Sequence, residues 1–430
     1  MNTFLKVIRA DGETEQRQIA EMKARAAQTA ADIDRKVAVI MDDVRREGME
    51  AVVRYSVQFD KTEPYIVSEE RMQQAYEACA PELIAALELS AKNIADYHEK
   101  MMVKTWEYER KPGVKLGQVV RGLEKVGIYV PGGTAAYPST VLMNAVPAKV
   151  AGVQQVIMVT PPTENLSDVV LAAAKIAGVD QVIACGGVQA VAALTYGAGF
   201  IPAVDKIVGP GNAFVAAAKK QAFGKVDIDM IAGPSEVLVI ADETADPVYV
   251  AADLLSQAEH DRMASAVLLT TSETLAMKIS EEMDRQSANL PRRDIIEDSV
   301  RNYGIGLVFD DLKQACAMAD QVAPEHLEVV TENPRQWVPY LHNAGAIFLG
   351  SYSPEPLGDY IAGPCHVLPT SGTARFFSPL STDTFLKKTS IIEYSEEELL
   401  NVADDIIAIA NSEKLGAHAN SIRQRKDARA

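Results

Sequence analysis

From Val126 onward the chain keeps one rhythm: a short apolar run ends in glycine or proline, and an alanine-rich stretch follows. "VGIYVPGG", "QVIMVTPP", "QVIACGG" and "KIVGPGN" carry it in turn. Apolar runs bounded by turn residues suit strands buried on both faces, and the stretches between them suit covering helices. This alternation predicts a parallel sheet, whose ligands bind in the crevice beyond the carboxyl ends of the strands. "SEVLVIAD", "ASAVLLTTS", "GIGLVFDD" and "GAIFLGS" repeat the rhythm and predict a second α/β unit. The two series suggest a duplication, although no sequence repeat accompanies them.

The flanks read differently. The first ~115 residues are mostly helical by pattern, as in "DIDRKVAVIMDDVRREGMEAVVRYSVQFD", with apolar positions at helical spacing. "SPEPLGDYIAGPCHVLPTSGTARFFSPLSTDTFLKKTS" is rich in Gly, Pro, Ser and Thr and has no helical period. Long irregular segments inside a compact protein are often functional. A helical pattern then returns to the end of the chain. A total of 430 residues suggests two or three domains.

Charge and cysteine content narrow the partners. A net charge of -17 lacks the basic footprint of nucleic-acid binding. The four cysteines, Cys79, Cys185, Cys316 and Cys365, are too scattered for a disulfide framework or a Cys-rich zinc motif. The opening "MNTFLKVIRADGETEQ" has no apolar signal core, so a cytoplasmic location is expected. No charge occurs between Lys125 and Lys149 or between Asp180 and Asp205, but Gly and Pro break both stretches. They read as buried α/β units rather than membrane spans.

Histidine is scarce, with six in the chain, and two of the six directly follow a glutamate: Glu259-His260 and Glu325-His326. Gln257 and His260, three apart, would share a helix face, where an amide oxygen and an imidazole can begin a coordination shell. Taken alone, such a pair is usually a solvated face. Asp359, His366 and His418 add oxygen and imidazole groups in the tail. His326 can carry protons both ways and Glu325 can activate water, against the plainer reading of a surface pair at a helix boundary. Cys365, beside His366, is a weaker nucleophile candidate. Tyr129 before "PGG", Gly186-Gly187 before Gln189, and "VGPGN" ending at Asn212 all follow apolar strands, where backbone N–H groups can approach a nucleotide. Phe214 stands where a dinucleotide fingerprint wants its third glycine, so tight strand–helix packing is the competing account.

The strings "DMIAGPSEVLVIAD", "DLLSQAEHD", "APEHLE", "GPCHVLPTSGTARFFSPL" and "GAHA" resemble the histidinol dehydrogenase family in order and spacing, from about residue 20 to about residue 420. The resemblance implies oxidation of L-histidinol through L-histidinal to L-histidine, with one zinc per site and two NAD consumed. Carried over residue by residue, it implies zinc on Gln257, His260, Asp359 and His418. It puts substrate near Ser235, Gln257, His260, Glu325, His326, Asp359, His366, Glu413 and His418, and NAD near Tyr129, Gln189 and Asn212. Glu325 and His326 become the catalytic pair, with His326 as proton shuttle.

The implied fold is α/β, with two incomplete Rossmann-like domains. The expected division is a helical segment 1–125 packing with the second α/β unit, then 126–235 on the NAD side, 236–380 on the zinc and substrate side, and an extension 381–430. The implied homodimer is intertwined, each tail completing the partner's site. Cys365 departs from the family string, which has Asn there. A relative oxidising another hydroxyl compound, a zinc hydrolase with Glu325 as base, and a two-lobed binding protein are the alternatives. NADH formation from histidinol separates them.

Overall fold

The computed structural model describes residues 4–17, 30–132, 137–162, 166–231 and 233–427; Gly133 of the first glycine turn lies outside them. The chain divides into two compact units, Met1–Met101 with Leu123–Phe385, and Met102–Gly122 with Leu386–Ala430.

The first unit contains two six-stranded sheets. One is built from β2 (Tyr65–Val67), β5 (Lys125–Tyr129), β6 (Gln155–Thr160), β7 (Gln181–Ala184), β8 (Lys206–Val208) and β9 (Asp227–Ile228), in the order β2-β7-β6-β5-β8-β9. Every pairing is parallel except β2 with β7. The other is built from β1 (Val7–Arg9), β10 (Glu236–Ala241), β11 (Ser265–Thr270), β12 (Ile305–Val308), β13 (His326–Val330) and β14 (Ala346–Leu349), in the order β1-β12-β11-β10-β13-β14. All its pairings are parallel. Both sheets follow one plan: β5 and β10 lie at the centre, with the next two strands on one side and the following two on the other; β9 and β13 belong to none of the runs read from sequence. Strand direction therefore reverses its order of progress between β5 and β8, and between β10 and β13, leaving a crevice at each switch.

The N-terminal helices Ala30–Glu47, Met49–Asp60, Glu69–Ala78 and Pro81–Lys100 agree with the helical pattern. Their packing does not follow expectation. Val37, Ile40, Met41 and Val44, spaced along one face of Ala30–Glu47, enter a core shared with Ile183, Val191, Leu194 and Val215 of the first sheet and its helices. β1 pairs with β12, and Leu5 beside it enters the core of the second sheet. The N-terminal segment is thus divided, its first residues joining the second sheet and the apolar face of Ala30–Glu47 joining the first.

The second unit is an antiparallel sheet in the order β15-β4-β3, formed by β3 (Trp106–Lys111), β4 (Val114–Gly122) and β15 (Leu386–Tyr394). Helices Glu396–Asn401, Ala403–Ser412 and Gly416–Asp427 complete it. Residues 106–122 were expected to belong to a helical segment; alternation such as Val114-Lys115-Leu116 makes them strands instead. Among the described residues no helix is long and apolar enough to cross a membrane.

Candidate active site

Ser235 immediately precedes β10, and Glu325 immediately precedes β13. These adjacent strands pair with Val237 opposite His326. The candidate chemistry of the second sheet therefore lies at the amino ends of its strands, contrary to the expectation of a site beyond the carboxyl ends. The cause is helix Pro247–Ala258, which runs back from the carboxyl edge of β10. Pro247 at its start, the Asp246 carboxylate accepting from the Val248 N–H, and buried Val250, Ala251, Leu254, Leu255 and Ala258 fix its position. Its far end delivers Gln257 and His260 to the amino edge. The helix ends at Ala258, so His260 sits in the following turn rather than on the helix, with its N–H bonded to the Gln257 carbonyl at 3.1 Å.

Glu325 and His326 bracket one peptide unit. The Glu236 N–H donates to Glu325 Oε2 at 2.9 Å, and His326 Nδ1 lies 3.1 Å from the Glu236 carbonyl oxygen. A carbonyl only accepts, so Nδ1 carries the proton and Nε2 keeps its lone pair. Nε2 lies 4.0 Å from Asp359 Oδ1 and makes no hydrogen bond. Burial, with His366 and His260 close by, pushes the His326 imidazolium down to about 3, so the ring is a neutral base at physiological pH. Burial pushes Glu325 well above the carboxylate range against the pull of the Glu236 N–H, and the nearby Glu236, Asp359 and Glu355 carboxyls add to the rise. Its ionised form is correspondingly a stronger base.

A possible cation-binding group lies alongside. His260, Glu355 and Asp359 offer ligand atoms that all lie within 4.8 Å of one another. Gln257 is 1% exposed, yet neither its Oε1 nor its Nε2 has a hydrogen-bond partner. A buried amide without partners is costly unless something else coordinates it. Asp359 stands on the six-residue helix Glu355–Tyr360 and not in irregular chain as expected; Glu355 precedes it by one turn. Burial pushes Asp359 up to about 6, and burial together with Asp359 pushes Glu355 up to about 8.

His366 is partly buried in the irregular segment, and burial, with His260 nearby, pushes its imidazolium down to about 4. Cys365 beside it points elsewhere: its Sγ donates to the Met143 carbonyl at 3.3 Å and accepts from the Val367 N–H at 3.4 Å. Burial pushes the thiol up to about 12, which leaves no thiolate near neutrality. Cys365→Ser is expected to leave turnover within about 2-fold of wild type. Loss of turnover in a folded variant, or isolation of a thiol-bound substrate adduct, would restore the nucleophile.

The glycine turns meet at the carboxyl edge of the first sheet. Tyr129 ends β5 and is buried; its hydroxyl oxygen accepts from the Gly187 N–H at 3.0 Å, at the start of helix Gly187–Tyr196. On that helix the Gln189 Nε2 donates to Asp60 Oδ2 at 3.1 Å, while its buried Oε1 has no partner. At the neighbouring strand, Gly209 has φ +101°, and a Cβ there would lie 2.3 Å from the Tyr129 carbonyl oxygen, so only glycine fits. A buried Lys219–Asp229 ion pair braces this turn from below, with Lys219 Nζ on the Gly209 carbonyl and Asp229 on its N–H. Asn212 is exposed and caps helix Ala213–Ala222, its Oδ1 accepting from Phe214 and Val215 N–H.

Glu413 and His418 belong to the second unit. Glu413 follows helix Ala403–Ser412, His418 stands in helix Gly416–Asp427, and both are exposed. Neither is a member of the group formed in the first unit by Gln257, His260, Glu325, His326 and Asp359. Conversely, Glu236, Asp253, Glu328 and Glu355 are gathered here without having been singled out from sequence. For Glu355 the available signal was its four-residue spacing from Asp359.

Two largely parallel sheets built on one plan, with acid–base side chains and cation-ligating groups collected at the edge of one, define an α/β enzyme. The Histidinol dehydrogenase family model matches residues 23–426. A histidinol dehydrogenase of Clostridium acetobutylicum is 50% identical over 429 residues, covering 99% of this chain and 100% of that one. One of Heliobacterium mobile is 54% identical, covering 92% of this chain and 94% of that one. The crystal structure of the histidinol dehydrogenase from Elizabethkingia anophelis superposes with a TM-score of 0.93 at 36% identity, over 100% of this chain and 99% of that one. The chain belongs to the histidinol dehydrogenase family and is an oxidoreductase.

Proposed function

We propose that this chain oxidises L-histidinol through L-histidinal to L-histidine, with NAD as hydride acceptor in both steps, in the cytoplasm. Family membership supports the substrate. The observation that carries the mechanism is the peptide of Glu236, which holds Glu325 and His326 side by side with the His326 Nε2 lone pair free. His326 takes the hydroxyl proton as the carbinol carbon loses hydride. His326 passes that proton to solvent, Glu325 activates water for addition to the aldehyde, and the neutral His326 accepts the second proton as the hydrate is oxidised. Ser235, His366 and Glu413 complete the substrate's surroundings. Tyr129, Gln189 and Asn212 receive NAD at the crevice beyond the carboxyl ends of the first sheet's strands.

The donor set fits a divalent ion. Gln257, His260 and Asp359 would hold zinc together with His418 of the partner subunit in a homodimer whose sites are shared. The orphaned Gln257 amide and the convergence of His260 with Asp359 support this assignment. Zinc, when bound, orients histidinol through its amine and imidazole nitrogens.

Each histidinol consumed should yield two NADH and one histidine, with no free aldehyde accumulating. Stopped reactions assayed for all three species test this, and a ratio of one NADH would end the four-electron reading.

A further inference from the structure

Glu328 lies on β13, two residues after His326, and is 1% exposed. Its Oε1 accepts from the Glu355 N–H at 2.8 Å, at the first residue of the helix that carries Asp359. That helix begins after Pro354, whose side chain provides no cap, so Glu328 supplies the missing acceptor from a different element. The Asp253 carboxyl, one turn before Gln257 on helix Pro247–Ala258, lies near Glu328, whose second oxygen, Oε2, is buried without a hydrogen-bond partner. Ser256 closes the arrangement: its Oγ lies 2.9 Å from Glu355 Oε2 and 2.7 Å from the Asp253 carbonyl.

We infer that Glu328 is a positioning residue for the oxidation, tying the elements that carry Gln257 and Asp359 to the strand that carries His326. The inference rests on the assignment of Gln257 and Asp359 as metal ligands. The tie to the Asp359 helix is direct, through Oε1 and the Glu355 N–H, and the tie to the Gln257 helix runs on from Glu355 through Ser256. The far end of the Asp359 segment is anchored independently: Ser90 Oγ donates to the Tyr360 carbonyl at 2.5 Å, and Asn93 Nδ2 to the Ile361 carbonyl at 2.8 Å. Losing Glu328 therefore frees one end of the segment without releasing the whole.

The test compares Glu328→Ala, Glu328→Gln and wild type by zinc affinity in chelator competition, with kcat at saturating zinc and thermal unfolding alongside. Glutamine keeps an acceptor oxygen for the Glu355 N–H. The alanine variant should bind zinc ~10–100-fold more weakly and turn over more slowly even when loaded, while glutamine restores both to within about 3-fold. If alanine retains wild-type affinity and kcat, or glutamine is as impaired as alanine, the inference is overturned. Should the alanine variant not fold, Glu328→Asp, one methylene too short to reach the Glu355 N–H, is expected to show the same loss, and wild-type affinity there overturns it equally. Failure of the wild-type protein to bind zinc would instead remove the ligand assignment on which the inference stands.

Discussion

His326→Ala is expected to lower turnover by ~100-fold or more while bound metal stays at the wild-type level. The ring is held through Nδ1 by the Glu236 carbonyl, and its Nε2 is left without a hydrogen-bond partner. Such an arrangement fixes both the tautomer and the direction of the lone pair. Removing it deletes the proton acceptor of both oxidation steps but none of the proposed metal ligands. Burial lowers the wild-type ring to about 3, so its own titration should leave no inflection in turnover near neutrality. The measurement is kcat beside metal content. Turnover within about 3-fold of wild type would remove His326 from the chemistry, and loss of metal in step with activity would make it structural.

Co-refolding two dead variants should restore activity. His260 stands in the first unit with Gln257 and Asp359, whereas His418 is exposed in the second. If the proposed metal shell is drawn from two chains, His260→Ala and His418→Ala are each inactive alone. In a mixed dimer, one site carries both lesions and the other carries neither. After random exchange half the dimers are mixed and half their sites are intact, so about a quarter of all sites recover. Each variant unfolded and refolded separately is the control. A mixture that stays dead while wild-type protein survives the same treatment would assign all the ligands to one chain.

Most inner strands of both sheets were legible because buried parallel strands are nearly pure apolar runs; β13 was not, since Glu325-His326 after Pro324 read as a helix boundary and instead opens a buried strand. β1 and β2 were not, since three residues cannot display a period. β3 is exposed along its whole length, with Trp106, Tyr108 and Arg110 on alternate positions, and offers no apolar run to detect. The candidate site divides similarly. Gln257, His260 and His326 were noticeable because amide and imidazole groups are rare at such positions, and the family strings named their roles. Asp253, Glu328 and Glu355 went unnoticed because an acidic residue in a sequence reads as solvated surface. Their burial comes from three elements far apart in the chain, which no local pattern records.

Opposite edges of the two sheets also present opposite polarity. At the carboxyl edge of the first, helices Pro138–Val150, Gly187–Tyr196 and Ala213–Ala222 all begin, so each directs the positive end of its macrodipole at the crevice. At the amino edge of the second, helices Pro247–Ala258 and Leu312–Val322 end, and their negative ends face the group around His260 and Glu325. The first edge would thus suit the phosphates of the proposed cofactor and the second the proposed cation. One strand–helix plan, used in two opposite directions, offers two edges of opposite sign.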